Sequence, residues 1–240
     1  CDNDSSNDCV QDCSGEWGGI AEYDICGLCG GDATSENDCF VVFDYDGNGY
    51  NTVEIGEQLW MEENLKVTHY NNGDEIPNIT NSDWGALSTG AYVDYDNNPT
   101  NSETYGRLYN WYTVDDSRGV CPDGYHVPSD NEYTILTDYL GGLSVAGGKM
   151  KESGHEHWLY YNDQISSEAT NESGFTALPA GNFDDNGLNF ASLSAYARFW
   201  SSSEYDSIQS WFRYMYFNSS EMVQVKNDKE YGFSIRCIQD

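Results

Sequence analysis

Asp44, Asp46 and Asn48 alternate in "DYDGNGYNTVEI", with Gly47 and Gly49 spaced between and after them, an arrangement of oxygen ligands that opens a calcium loop. An EF-hand also needs a bidentate Glu at its twelfth position, which counted from Asp44 is the apolar Ile55. Val53 and Ile55 alternate with Thr52 and Glu54, so the chain is already a strand there and no EF-hand forms. A Gly-Asn turn is the simpler reading, with a calcium completed by distant oxygens as the addition to it. Further oxygen-rich loops carry Asp94 and Asp96, Asp184 and Asp185, and, near the start, Asp24 and Asp32. Together they predict at least one structural calcium, because that ion takes about 6–8 oxygens from adaptable loops.

Three other sets of residues invite chemistry. In "FWSSSEYDSIQSWFRYMYF" the rings of Trp200, Tyr205 and Trp211 are candidate sugar platforms, beside amides that can read hydroxyls. Glu62 and Glu63, after Trp60 and Met61, are the nearest thing to a glycosidase pair, which would need one acid raised in an apolar pocket, but a strand end is the strongly preferred reading. His155 and His157 in "GHEHW" share a strand face, with Glu156 expected to point the other way, so a solvated loop is the preferred reading over a chelate. No nucleophile elbow or other recognised catalytic motif occurs, and the expectation is a non-catalytic protein.

Six of the eight cysteines, Cys1, Cys9, Cys13, Cys26, Cys29 and Cys39, crowd the first 39 residues. Dense cysteine in a Gly- and Asp-rich stretch predicts disulfides and an oxidising compartment, in preference to zinc at the single C-x-x-C of Cys26 and Cys29. A leading Cys1 also suits a lipidated bacterial terminus, although the even count favours a disulfide. No signal peptide is present, so the chain reads as a mature product, extracellular or on the cell surface.

Composition narrows the partners. Ten Lys and Arg against 41 Asp and Glu leave a formal charge of −31, which excludes nucleic acid and anionic membrane surfaces as partners. No apolar run approaches the roughly 20 residues of a membrane span. Aromatic residues make up 15% of the chain, with 19 Tyr and 7 Trp, so an acidic disordered tail is also excluded.

The elements that must position these groups fall into two regions. Residues 1–39 hold ten acidic residues and no Lys or Arg, and form a disulfide-rich segment with little core of its own. From residue 40 to 240 strand-like alternation and helical signals appear. Tyr105, Leu108, Tyr109 and Tyr112 follow helical spacing and predict a helix over 103–114. Ser129 with Glu132 forms a capping box, Tyr133, Leu136 and Leu140 make the apolar stripe, and Gly141-Gly142 ends that second helix. "WFRYMYF", "EMVQVK" and "GFSIRCI" read as antiparallel strands. One face of the first, either Trp211, Arg213 and Met215 or Phe212, Tyr214 and Tyr216, must be core.

Seven ordered blocks carry a family resemblance: "DGNGYNTVEIGEQLWMEENLKV", "YGRLYNWYTV", "CPDGYHVPSDNEYTILTDYLGG", "AGGKMKESG", "NESGFTALPAGNF", "FWSSSEYDSIQSWFRYMYF" and "KEYGFSIRCIQD". Residues 40–240 thereby resemble the Fibrobacter succinogenes major paralogous domain, a secreted bacterial family distantly similar to C-type lectins and formylglycine-generating enzymes. The resemblance implies an α+β, C-type-lectin-like irregular domain with two helices and a small antiparallel sheet. "DCSGEWGGIAEYDICGLCGGD" is similar to short repeats of bacterial surface proteins and implies a spacer. Cys121 and Cys237 are expected to pair, in preference to a redox role borrowed from the formylglycine-generating enzymes.

These readings converge on a secreted, non-catalytic structural or surface module, a homo-oligomer or a filament assembled head to tail through residues 1–39. The alternative is a polysaccharide-binding adhesin. The lectin signatures Glu-Pro-Asn and Gln-Pro-Asp are absent, so calcium is expected to brace the fold and not to hold sugar.

Overall fold

The computed structural model describes residue 12 and residues 20–22, 41–159 and 169–240. The chain divides into two compact units, Cys1–Val41 and Val42–Asp240. The expectations for Cys1, Cys9, Cys13, Cys26, Cys29, Cys39, Asp24 and Asp32 lie outside the described residues.

The larger unit is mixed α and β. Its strands are β1 (Val41–Phe43), β2 (Gly49–Ile55), β3 (Gln58–Met61), β4 (Tyr92–Val93), β5 (Leu108–Tyr109), β6 (Tyr125–His126), β7 (Asn182–Phe183), β8 (Phe190–Ala191), β9 (Tyr196–Glu204), β10 (Gln209–Tyr216), β11 (Met222–Asp228) and β12 (Ile238–Gln239). The helices are α1 (Pro99–Tyr105), α2 (Trp111–Val114), α3 (Asp130–Tyr139) and α4 (Leu143–Met150). One sheet runs β1-β2-β3-β12-β6, a second runs β11-β10-β9, and β4-β5 and β7-β8 form short ribbons. The last strand therefore returns to pair with β3 near the start of the unit, through Ile238 and Trp60.

Helix α3 forms where its local signals place it. The Ser129 side chain accepts from the Glu132 amide while Glu132 accepts from the Ser129 amide, a complete capping box that satisfies two otherwise orphaned donors. The buried stripe of Tyr133, Leu136 and Leu140 enters a core with Ile55, Trp60, Phe175, Phe199 and Met215.

The helix expected over 103–114 is instead three elements. Gly106 ends α1 at φ +70°, a conformation L side chains rarely adopt, and a Cβ there would sit 2.6 Å from that of Asn64. Leu108 and Tyr109 then pair with Val93 and Tyr92, and Asn110 caps the short α2. Long-range pairing outweighs the helical spacing.

Cys121 and Cys237 form a disulfide across 116 residues of sequence. Both are buried in a second core cluster with Tyr50, Met61, Leu65 and Tyr109. Among the described residues no helix is long and apolar enough to cross a membrane.

Candidate functional site

The three-stranded sheet decides which rings are available. Its first face, with Phe199, Arg213 and Met215, is covered by α3: Arg213 donates through Nε and Nη2 to Asp130 Oδ1 at 3.1 and 2.8 Å. The second face carries Tyr196, Arg198 and Trp200 of β9 opposite Tyr216, Tyr214 and Phe212 of β10. Segment 231–234 runs along the free edge of β9, where Ser234 bridges Phe199 in parallel: its amide donates to the Arg198 carbonyl and its carbonyl accepts from the Trp200 amide. The segment places the Phe233 ring against Trp200 and Phe212 on this face. It leaves an open cleft of about 420 Å³.

Tyr196, Phe212, Tyr214, Tyr231 and Phe233 supply the aromatic walls of the cleft, Asn182 and Asn227 its amides, and Arg198 its one charge. The rings brace each other, with centroids 5.6 Å apart for Tyr196 and Tyr214 and 4.6 Å for Phe212 and Phe233. The guanidinium of Arg198 lies 4.1 Å from the centre of the Tyr196 ring and donates to Asn182 Oδ1 at 3.0 Å. Burial lowers its pKa to about 10, so it is still a cation at neutral pH. The Tyr231 hydroxyl is held protonated by burial and by Asp185, Asp184 and Asp228 outside the cleft. Rigid rings offer π-faces to polarised C–H bonds, while amides and tyrosyl hydroxyls donate and accept, so the arrangement suits a polyhydroxylated ligand. No carboxylate is among the lining residues.

The sequence-predicted platform divides. Trp200 is fully buried and donates its indole N–H to the Tyr109 carbonyl at 2.8 Å, so it packs beneath Phe233 and cannot stack on a sugar. This corrects the expectation for Trp200. Tyr205 is exposed and meets the half-buried Trp211 edge-on at 5.2 Å, with Lys226 Nζ 3.5 Å above the Tyr205 ring. That pair stands apart from the cleft, sharing no residue with its lining.

The acidic loops are closed by protein donors. Asp44 accepts from the amides of Asp46 and Asn48, from Asn48 Nδ2 and from the Tyr50 hydroxyl at 2.6 Å. Asp46 turns away to the amide and hydroxyl of Thr68 and to His69, so the alternating trio does not converge. Burial opposes ionisation of Asp46, but these partners outweigh it and lower the pKa. Asp94 accepts from the Ser102 hydroxyl and pairs with Arg107 Nε at 3.1 Å, while Asp96 is exposed at φ +54°. Asp184 accepts from the Leu188 amide and from the amide and side chain of Asn189, and its neighbour Asp185 is half-buried.

One cluster differs from its sequence reading, while Glu62 and Glu63 follow the end of β3 at Met61 as expected. Glu156 does not point away from His157: ligand atoms of Glu152, Glu156 and His157 lie within 4.8 Å of one another, and His157 Nδ1 is 2.8 Å from Glu152. The irregular backbone at 153–158 breaks the strand alternation on which the expectation stood. Glu63 is spent on the amide and side chain of Asn51, and burial, then Glu63, pushes the Glu62 pKa up. Neither glutamate lines the cleft.

Sequence reading missed Arg198, Tyr196 and Tyr231. The available signal was strand alternation in "YARFW", which puts Tyr196, Arg198 and Trp200 on one face, but it does not say which face is covered.

Fold and cleft together define a mixed α and β domain of small antiparallel sheets with an open, aromatic-walled depression. Its sequence matches the profile of the Fibrobacter succinogenes major domain over residues 53–239, and the chain belongs to that bacterial family. No curated protein and no solved structure matches it.

Proposed function

We propose that this domain is a non-catalytic module of the bacterial cell exterior that binds carbohydrate in the cleft around Arg198. The cleft itself carries the reading: rigid aromatic walls, two amides and tyrosyl hydroxyls line an opening within the size range of about 300–1,000 Å³ typical of ligand pockets. Hydrolysis is the weaker reading because it needs a carboxylate pair at the bound sugar, and the lining supplies none. The Cys121–Cys237 disulfide supports an oxidising, extracellular location.

We read the fold as C-type-lectin-like, on the return of β12 to β3 and the irregular loops inserted between them. The spacer role and head-to-tail assembly expected of residues 1–39 remain a separate proposal about a segment mostly outside the described residues. Deleting residues 1–39 and measuring mass by light scattering tests it: loss of oligomers supports assembly, and an unchanged state refutes it.

Titration of the chain against a panel of plant and bacterial polysaccharides tests the carbohydrate reading. At least one is expected to bind and to be lost in Tyr214→Ala while the fold persists. Silence across the panel overturns the reading.

A further inference from the structure

Ten cations stand among 41 carboxylates in this chain, yet among the described residues Arg198 has no carboxylate partner. Arg107, Arg118 and Arg213 each pair with an Asp. Lys66, Lys149 and Lys229 each pair with a Glu. Two others are buried and held by oxygens: Arg236 by the Met61 and Phe175 carbonyls and Asn64 Oδ1, and Lys151 by carbonyls of residues 216, 217 and 219. Lys226 is exposed. Arg198 alone is half-buried in a cleft, with one hydrogen bond, to Asn182, among the described residues.

A guanidinium presents five donors in a planar fork that matches a carboxylate. Burying it without an acid is costly, and the cost is recovered when an anion arrives. The Asn182 contact and the Tyr196 ring hold the fork in place, so little order has to be gained on binding. We propose that the cleft selects acidic saccharides, the carboxylate of a uronic acid pairing with Arg198 while the sugar ring lies against the surrounding aromatic rings. The net charge of −31 opposes any anion at long range. Beyond about 8–10 Å, however, salt screens most of that repulsion, and it screens a desolvated contact pair far less. Burial lowers the Arg198 pKa without discharging it at neutral pH, so the guanidinium is a cation already stripped of part of its water.

This inference rests on the carbohydrate reading of the same cleft and is separable from it. The full chain is titrated calorimetrically with oligomers of galacturonate, glucuronate and mannuronate, each beside its methyl ester, and with neutral oligosaccharides and an Asp-rich peptide. At least one acid is expected to bind about tenfold or more tighter than its ester, the scale of one hydrogen-bonded charge. Arg198→Gln should abolish that ratio, so that acid and ester bind alike, and Arg198→Lys should keep part of it. The wild-type ratio is informative even if a variant fails to fold. Equal binding of every acid and ester, or binding of neutral sugars alone, overturns the selection of an acid but leaves the carbohydrate reading standing. Binding of the Asp-rich peptide in place of any saccharide overturns both the sugar class and that reading, and binding of nothing does the same.

Discussion

Replacing Cys121 and Cys237 together by alanine removes a cross-link between residues 116 apart in sequence. In the chain-entropy account, closing a loop of that size lowers the entropy of the unfolded chain by an amount worth about 5 kcal/mol at 25 °C. Both sulfurs are buried beside Met61 and Leu65, so their loss adds a small packing penalty of about 1 kcal/mol. The cross-link also fixes the last strand, because the Cys237 carbonyl accepts from the Met61 amide at 3.1 Å and Ile238 pairs with both Trp60 and His126. For a domain of this size each kcal/mol moves the midpoint by about 2–4 °C, so a fall of about 10–20 °C is expected. Guanidinium titration followed by tryptophan fluorescence measures the change. The paired substitution is preferable to a reductant, which would also reach the six cysteines of residues 1–39. A loss below about 1 kcal/mol would refute the reasoning, because it would mean the unfolded chain gains almost no freedom from the cut.

Three more outcomes follow from the packing and the charges. Trp200→Ala should cost about 3–5 kcal/mol in urea titration, as for any large buried ring, whereas Tyr205→Ala at the surface should stay within about 0.5 kcal/mol. Chelation with EDTA should leave the tryptophan-detected melt unchanged, since Asp44, Asp46, Asp94 and Asp184 already accept protein donors; a fall reversed by calcium would show instead that an ion braces these loops. His126 lies 2.7 Å from Asp240 and 2.9 Å from Glu132, and although burial opposes protonation, the two carboxylates outweigh it and raise the pKa. A raised folded pKa adds stability that is full below the unfolded value of about 6.5 and fades as pH rises through the folded one. Stability measured by urea should therefore decline from about pH 6.5 upward, and His126→Gln should flatten that part of the profile.

Much of the fold is local chemistry and is legible in the residues alone. The capping box at Ser129 and Glu132, the stripe behind it and the glycines after it define α3, because every interaction involved lies within one or two turns. Ile55 at the twelfth position excludes an EF-hand for the same reason, and Asp44 closes its turn on donors only a few residues away. The pairing of Cys121 and Cys237 follows from their isolation from the other cysteines. Tertiary structure decided the rest. The spacing of Tyr105, Leu108, Tyr109 and Tyr112 is helical, but β4 pulls Leu108 and Tyr109 into a ribbon, and hydrogen bonds to a distant strand are invisible in a local period. Alternation along β9 and β10 sorts side chains into two faces, yet only α3 on one face and the Phe233 ring on the other determine that Arg213 finds Asp130, Trp200 is sealed in, and Arg198 is left in a cleft. A charge is unpaired only relative to everything that folds around it, and that is a property of the assembled chain.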